Sequence, residues 1–470
     1  MTTRLTVSGV VALLVLGLSG PAGARGIELP RLGAAHARLL VVDIRHGADR
    51  NPGTRARPLR TVTAAWNTIA KRTPLTRAVH ILVRPGRYPA PALPNYWESR
   101  WGTGRAPIVI SAARAHSVSF ASVNLFDLRW LAFDRIDFHD RFDLWHCERC
   151  SHVLLHRARL VGSPAALHEN VKVNQSSDIA ITQSAISGAD DNAIDFVAVR
   201  YGLIAHDDIA NAHDWCAYAK GGSAFVTVTH NHIHDCGTGG FTAGQGTGLQ
   251  FMTAPFIRYE AYGVDVTHNI IDRTDGAAVG INGGFGVFVA SNRIYDVGAR
   301  SHEIEVGYGL RSCDGVPGDR SRRACQTYLD RGGWGTTRVD DGTNAVRIPN
   351  RHVVIRGNVI DNPRRQGDQL FSIAGPFTGA AQHGSGLGAV RADAGLLISG
   401  NVIAGRGLPT GAGSCRADDC RHLAARNRLN ARPGLFADPR HGNFALASGK
   451  GLPHVRRPGW NYAEAGVPGP

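Results

Sequence analysis

Between residues 128 and 403 one short pattern returns nine times: two apolar residues spaced by one, then three residues on a usually small or polar residue at the third position, then two residues on another apolar residue. It reads Leu131, Phe133, Ile136, Phe138, then Val153, Leu155, Ala158, Leu160, then Ile179, Ile181, Ser184, Ile186, and recurs through Val226, Val228, Asn231, Ile233 to Leu396, Ile398, Asn401, Ile403. The third position advances through 136, 158, 184, 207, 231, 269, 292, 358 and 401, with short steps of 22, 26, 23, 24 and 23 residues. A fixed period of this size marks a solenoid, and alternating apolar residues within each unit call for strands. A unit of two dozen residues is too short for a strand and a crossover helix, which need roughly 30. It suits three short strands joined by bends.

Stacked units would pair like strands at roughly 4.8 Å, bury the apolar set and leave edges only at the two ends. The recurring Asn231, Asn269, Asn292, Asn358 and Asn401 fit a bend, where Asn tolerates left-handed backbone and its amides stack coil on coil. The fold class expected is all-β, a right-handed parallel β-helix with an amino-terminal capping helix. The pattern resembles that of secreted polysaccharide-active β-helix proteins of the pectate-lyase type. The stretch Asn51, Pro52, Gly53, Thr54 ahead of a helical segment whose Val62, Ala65, Trp66 and Ile69 share a face is similar to the entrance of such lyases. The run from Asn430 and Pro433 to Phe444 and Leu446 resembles their closing segment.

Arg4, an apolar run from Leu5 to Leu18 and the small residues Ala22, Gly23, Ala24 predict a signal peptide over 1–24. The run is too short for a comfortable membrane span and no later stretch is long enough. The expected divisions are 25–120 for the cap and first coils, 121–410 for the repeats with loop insertions, and 411–470 for the closing segment and tail. A secreted or periplasmic monomer follows. Eight cysteines in an exported chain point to disulfides, with Cys147–Cys150, Cys216–Cys236, Cys313–Cys325 and Cys415–Cys420 as close pairs whose connectivity spacing does not settle. The net charge of +14 suits an acidic partner, and solubility explains it equally. Export and the lack of a binding motif argue against nucleic acid.

The chemistry-bearing residues gather between Asp190 and Arg311. Aligning coils through Ser184 and Asp207 sets Asp195 against Tyr218 and Val197 against Lys220, and brings Asn282, Glu303 and Glu305 onto nearly the same outward stripe. Lys220 stands out by usage: of 52 basic residues only Lys71, Lys172, Lys220 and Lys450 are lysines, and an ammonium can lose its proton where a guanidinium does not. It is the candidate base for proton abstraction beside a uronate carboxylate, against the plain reading of a surface lysine at a Gly-rich bend. Such a β-elimination needs a base within reach and a cation to neutralise the carboxylate.

Calcium would suit an oxygen-rich cluster, and Asp190, Asp191, Asp195 and Asp214 on adjacent coils are its candidate ligands, against a role in turn hydrogen bonding. Calcium-dependent β-helix lyases combine a Lys or Arg base with aspartate ligands, and the resemblance implies the same here. Tyr218, His234 and His302 are candidate proton donors and Arg311 a carboxylate partner. Gln245 and Arg258, with Phe241, Phe251, Phe256 and Tyr259, are candidates for one wall of a saccharide groove, and Asn282, Glu303 and Glu305 for substrate contacts. The glycines between Cys236 and Glu260 lack the ending of a phosphate loop; close backbone approach explains them more simply.

Two other classes stay open. Paired aspartates would serve a glycoside hydrolase, although the Gly-His-Gly and Arg-Ile-Lys signatures of β-helix polygalacturonases are absent. A noncatalytic carbohydrate-binding β-helix is the third.

Overall fold

A computed structural model describes residues 26–33, 36–163, 168–248, 251–253, 259–300, 302–312, 346–363, 369–376, 391–404, 408–410, 423–429 and 431–465. Three long sheets, of 13, 11 and 11 strands, run the length of the molecule, and in the stacked order neighbouring strands are successive coils rather than successive strands. Every pairing within these three sheets is parallel. The chain therefore visits the sheets in rotation, one short strand each per coil, which makes the protein a parallel β-helix.

The repeat maps onto the first and third sheets. Leu131, Val153, Ile179, Gly202 and Val226 are register partners in the first sheet, and Phe138, Leu160, Ile186, Ile209 and Ile233 in the third. Nearly all of these side chains are fully buried in one continuous core. Each coil thus buries its apolar set only against its neighbours, as a solenoid requires.

Between the two strands of each repeat the third position forms a ladder. The backbone N–H of Ala158 donates to Ser184 Oγ, that of Ser184 to Asp207 Oδ1, and that of Asp207 to Asn231 Oδ1, at 3.1, 2.7 and 2.9 Å. From Asn269 onward each Asn receives both the backbone N–H and the side-chain amide of the preceding rung, through Asn292, Asn358 and Asn401 to Asn427. The need for an acceptor reaching the next coil explains the polar choice.

The left-handed backbone expected at the Asn itself belongs to the residue before it. His206, His230, His268, Ser291, Gly357 and Gly400 carry φ between 55° and 68°. The bend is made there so that the Asn side chain can point along the stack.

At the amino end, strand Arg38–Val42 pairs with Val79–Val83, and a six-residue helix, Val62–Asn67, packs on both. Thr61 caps it, accepting the Ala64 N–H at 3.1 Å. Val62, Ala65 and Trp66 are buried, with the Trp66 ring edge-on to Trp97 at 4.8 Å. Near the carboxyl end an antiparallel pair, Phe436–Asp438 with Asn443–Leu446, sets Phe436 and Phe444 against Tyr295 and Val359 on the outside of the third sheet.

Disulfides join Cys147 to Cys150 and Cys216 to Cys236. The two other expected pairs, Cys313–Cys325 and Cys415–Cys420, and the expected signal peptide lie outside the described residues. Among the described residues no helix is long and apolar enough to cross a membrane.

Candidate active site

The second sheet carries several of the residues singled out from the sequence, Asp195, Tyr218, Lys220, Asn282, Glu303 and Glu305 among them. Its inward residues, among them Val173, Phe196, Ala219, Ala243, Ile281 and Val306, are completely buried. The alternate, outward residues form a row of direct register partners: His146, Lys172, Asp195, Tyr218, Thr242, Gly280 and Glu305. The next outward row holds Asn174, Val197 and Lys220. The phase alignment is met here residue for residue, with Asp195 opposite Tyr218 and Val197 opposite Lys220.

Lys220 ends strand Trp215–Lys220 and is followed by Gly221 and Gly222, both with positive φ. A Cβ on Gly221 would stand 2.9 Å from the Val197 side chain, so the bend that releases the lysine into the site needs a glycine. Its Nζ donates to Gln245 Oε1 at 3.0 Å and sits 4.2 Å from the centroid of the Tyr218 ring. Tyr218 is 3% exposed, packed with Val197, Trp215 and Ala277. Burial first, then the negative charge of Asp195, holds its phenol protonated well above the usual tyrosine range.

Asp195, the register partner of Tyr218, is perturbed as well. Burial pushes its carboxyl up to about 7; Lys220, the Tyr218 hydroxyl and Lys172 pull it down, while Glu169 pushes it further up. Its Oδ1 is buried with no hydrogen-bond partner. On the coil before, Lys172 Nζ donates to both oxygens of Glu169 at 3.0 Å. Burial alone would depress Lys172, but the Glu169, Asp143 and Asp195 carboxylates outweigh it and hold the ammonium charged.

The remaining candidates divide by position. Asp191 lies near this cluster, raised by burial, Glu169 and Asp214, and takes a hydrogen bond from the Asn192 amide at 2.9 Å. Asp214 follows it by one coil, its N–H on the Asp191 carbonyl. Asp190 turns instead to His213, 3.8 Å away. The four aspartates do not converge. Among the described residues only Asp208, His232 and His234 form a group of three with ligand atoms within 4.8 Å of one another. With Lys172 and Lys220 acting on Asp195, the four carboxylates as placed are not a calcium cage.

Glu305 stands three strands beyond Tyr218 in the same row, roughly 14 Å at the usual strand spacing. His302 Nε2 is 3.3 Å from its Oε2, and His302 and Asn282 draw its pKa below the ordinary value despite burial. Glu303, one outward position earlier, accepts from the Asn362 amide at 3.0 Å and is pushed by burial up to about 8. His302 serves Glu305 and not Lys220. His234 is on the third sheet, in strand His232–His234. Arg311 lies in strand Gly309–Ser312, paired to Thr247 and Val346 in a separate three-stranded sheet. Arg258 and Phe256 lie outside the described residues.

The proposed aromatic wall does not form as a unit. Phe241 is an inward core residue and Tyr259 packs against Tyr262 and Phe285, whereas Phe251 is exposed. The glycines do serve close approach. A Cβ on Gly237 would meet the His213 carbonyl at 2.1 Å, and one on Gly244 the Asn282 carbonyl at 2.0 Å.

Sequence reasoning passed over Lys172, Glu169, Asp143 and His146. The scarcity of lysine that singled out Lys220 applies equally to Lys172, which lies one coil before Asp195 in phase.

No protein-family model matches the chain, and no curated protein does. Among solved structures it is similar to a GH136 lacto-N-biosidase from Eubacterium ramulus, with 10% identity, TM-score 0.46, 80% of this chain and 66% of that one. It is also similar to the pectate lyase Pel9A, with 13% identity, TM-score 0.40, 86% of this chain and 84% of that one. A third is a PL6 family polysaccharide lyase from Pseudopedobacter saltans, with 12% identity, TM-score 0.44, 85% of this chain and 96% of that one. The chain thus spans just under two thirds of the first of these proteins. Likeness at this level does not extend to chemistry.

Proposed function

We propose that this protein cleaves an acidic, uronate-containing polysaccharide by β-elimination on the outward face of the second sheet. The observation that carries the reading is the placement of two of the chain's four lysines, Lys172 and Lys220, in one patch around buried Asp195 and Tyr218. A chain in which only four of 52 basic residues are lysines has here two of them, a protonated phenol and a carboxyl near neutrality.

Each group has a step. The Lys220 amine, in its neutral form, takes the proton from the carbon beside the substrate carboxylate. The electron pair left behind forms a carbon–carbon double bond and expels the glycosidic oxygen from the neighbouring carbon. The Tyr218 hydroxyl donates a proton to that departing oxygen, and Asp195 beside it returns one to the phenolate. Lys172, held charged, lowers the cost of the second negative charge that builds on the carboxylate. No step is routed through calcium, because the four candidate aspartates do not converge. Export, expected from the first 24 residues, would supply the oxidising compartment that two disulfides need, and a monomer suffices for this chemistry.

A second reading has its own observation. Asp195, raised to about 7, and Asp191, also raised, both act on Tyr218, and two carboxyls serving one site are what a glycoside hydrolase uses, one as acid and one as base. Pectate, alginate and glycosaminoglycans, each with calcium and with chelator, separate the readings. Ultraviolet absorbance from an unsaturated uronate identifies the lyase and its substrate, and its calcium dependence decides the cofactor. New reducing ends without absorbance identify the hydrolase. Neither signal leaves a carbohydrate-binding protein.

A further inference from the structure

On the third sheet, away from these lysines, Asp208 and His232 are register partners on adjacent coils, and His234 lies two residues beyond His232 on its strand. All three face outward, since the intervening Ile209 and Ile233 are core residues. The two imidazoles lie against each other with centroids 4.2 Å apart.

Each ring has one nitrogen committed to a carboxylate. His232 Nε2 is 2.6 Å from Oδ1 of fully buried Asp272, one coil further on, and His234 Nδ1 is 2.5 Å from Asp235 Oδ2. Arg273 holds both carboxylates in turn, bonding Asp272 and Asp235, and its Nη2 is 3.1 Å from His234 Nδ1. In neutral rings, donation to these carboxylates leaves lone pairs on His232 Nδ1 and His234 Nε2. Those two atoms face the Asp208 carboxylate, at 3.9 Å from Oδ2 and 3.3 Å from Oδ1. Three acceptors therefore converge with no donor between neutral rings, their ligand atoms all within 4.8 Å of one another.

We propose that Asp208, His232 and His234 bind a divalent transition metal of the zinc class. Two nitrogens and one oxygen suit such an ion, and ligand bonds of about 2.0–2.1 Å in a tetrahedron put donor atoms about 3.3 Å apart, close to the separations from Asp208. Holding the far nitrogen of each histidine on a carboxylate orients the ring for a metal. Three carboxylates and one guanidinium around neutral imidazoles sum to a charge that a divalent cation balances. Asp208, with 58% of its side chain exposed, leaves the fourth position to water. The ion joins two coils just below Phe444 of the closing pair, whose ring lies 5.8 Å from that of His232.

The test uses the metal-free full chain, titrated with zinc chloride by calorimetry and with cobalt chloride by visible absorption. One equivalent should bind, with the absorption of tetrahedral cobalt and a raised melting temperature. Asp208→Asn and His234→Gln should each weaken binding by well over tenfold and abolish the zinc-dependent rise in melting temperature. Asp235→Asn should weaken it about 10–100-fold. Lys220→Arg should leave it intact, so the outcome is independent of the lyase reading. Asp208 is exposed, and its variant decides the matter even where His234→Gln fails to fold. Absence of a stoichiometric equivalent, or binding unchanged in Asp208→Asn, would mean that a proton rather than a metal bridges these groups and would overturn the proposal.

Discussion

Lys220 Nζ lies over the ring of Tyr218, 4.2 Å from its centroid, two residues along the same strand and on the same outward face. The phenol ring packs under Nζ while Gln245 Oε1 accepts a hydrogen bond from it at 3.0 Å. The pair presents a potential base and a potential acid at adjacent positions of one surface.

If that pair performs the elimination, Lys220→Arg keeps the charge and loses the base. Turnover on the responsive polysaccharide should drop by about 10²–10⁴-fold, with the melting temperature nearly unchanged. Tyr218→Phe should lose a comparable factor and spare substrate binding. Steady-state rates from product absorbance check both, and full activity in Lys220→Arg would remove the lysine from the chemistry.

Asp195 makes stability depend on pH in a defined direction. Its ordinary value is 3.8 and burial raises it to about 7 in the folded chain. Between about pH 4 and 7 the folded form holds a proton the unfolded form has lost, so stability is full below that window and falls as pH rises through it. Each pKa unit is worth about 1.4 kcal/mol, so the loss is on the order of a few kcal/mol. Asp195→Asn should make the fall of urea midpoint between about pH 4 and 7 shallower without abolishing it. The remaining slope, which continues to about pH 8, belongs to Asp265, raised to about 6, and Glu303, raised to about 8.

The asparagine ladder should be costly to interrupt. Asn292 is 0% exposed and its Oδ1 accepts both the backbone N–H and the side-chain amide of Asn269. Asn292→Ala leaves those two donors unpaired, at about 1–3 kcal/mol each, and opens a gap in the bend. Chemical denaturation should show a loss of about 2–5 kcal/mol. A loss below 1 kcal/mol would mean that water replaces the amide.

Reducing Cys216–Cys236 should loosen the strand that bears the site. The bridge closes a 20-residue separation, for which chain entropy gives roughly 3 kcal/mol. Cys216 is the second residue of strand Trp215–Lys220, which carries Tyr218 and Lys220, so a Cys216→Ser, Cys236→Ser double variant should lower both the melting temperature and turnover. Unchanged turnover would show that packing of Trp215 and Phe241 alone positions the two side chains.

Much of this arrangement follows from the chain itself. The period of the apolar pattern determines the coil, because only one alternation buries Val226 and Val228 while leaving the next strand free to do the same, and a slip of one residue would expose the whole set. The same phase placed Asp195 beside Tyr218 and Val197 beside Lys220, since parallel in-register stacking makes sequence phase a spatial coordinate. What the phase does not contain is side-chain direction and company. Tertiary structure alone turned Asp190 to His213, drew Lys172 and Glu169 to Asp195, and separated the aspartates expected to share calcium. It also shifted the left-handed residue from Asn231 to His230, because the amide has to reach the next coil. The group of Asp208, His232 and His234 arose in the same way. Its three members are 24 and 26 residues apart at most, unremarkable in line, and only the stacking of coils brings their lone pairs to one point.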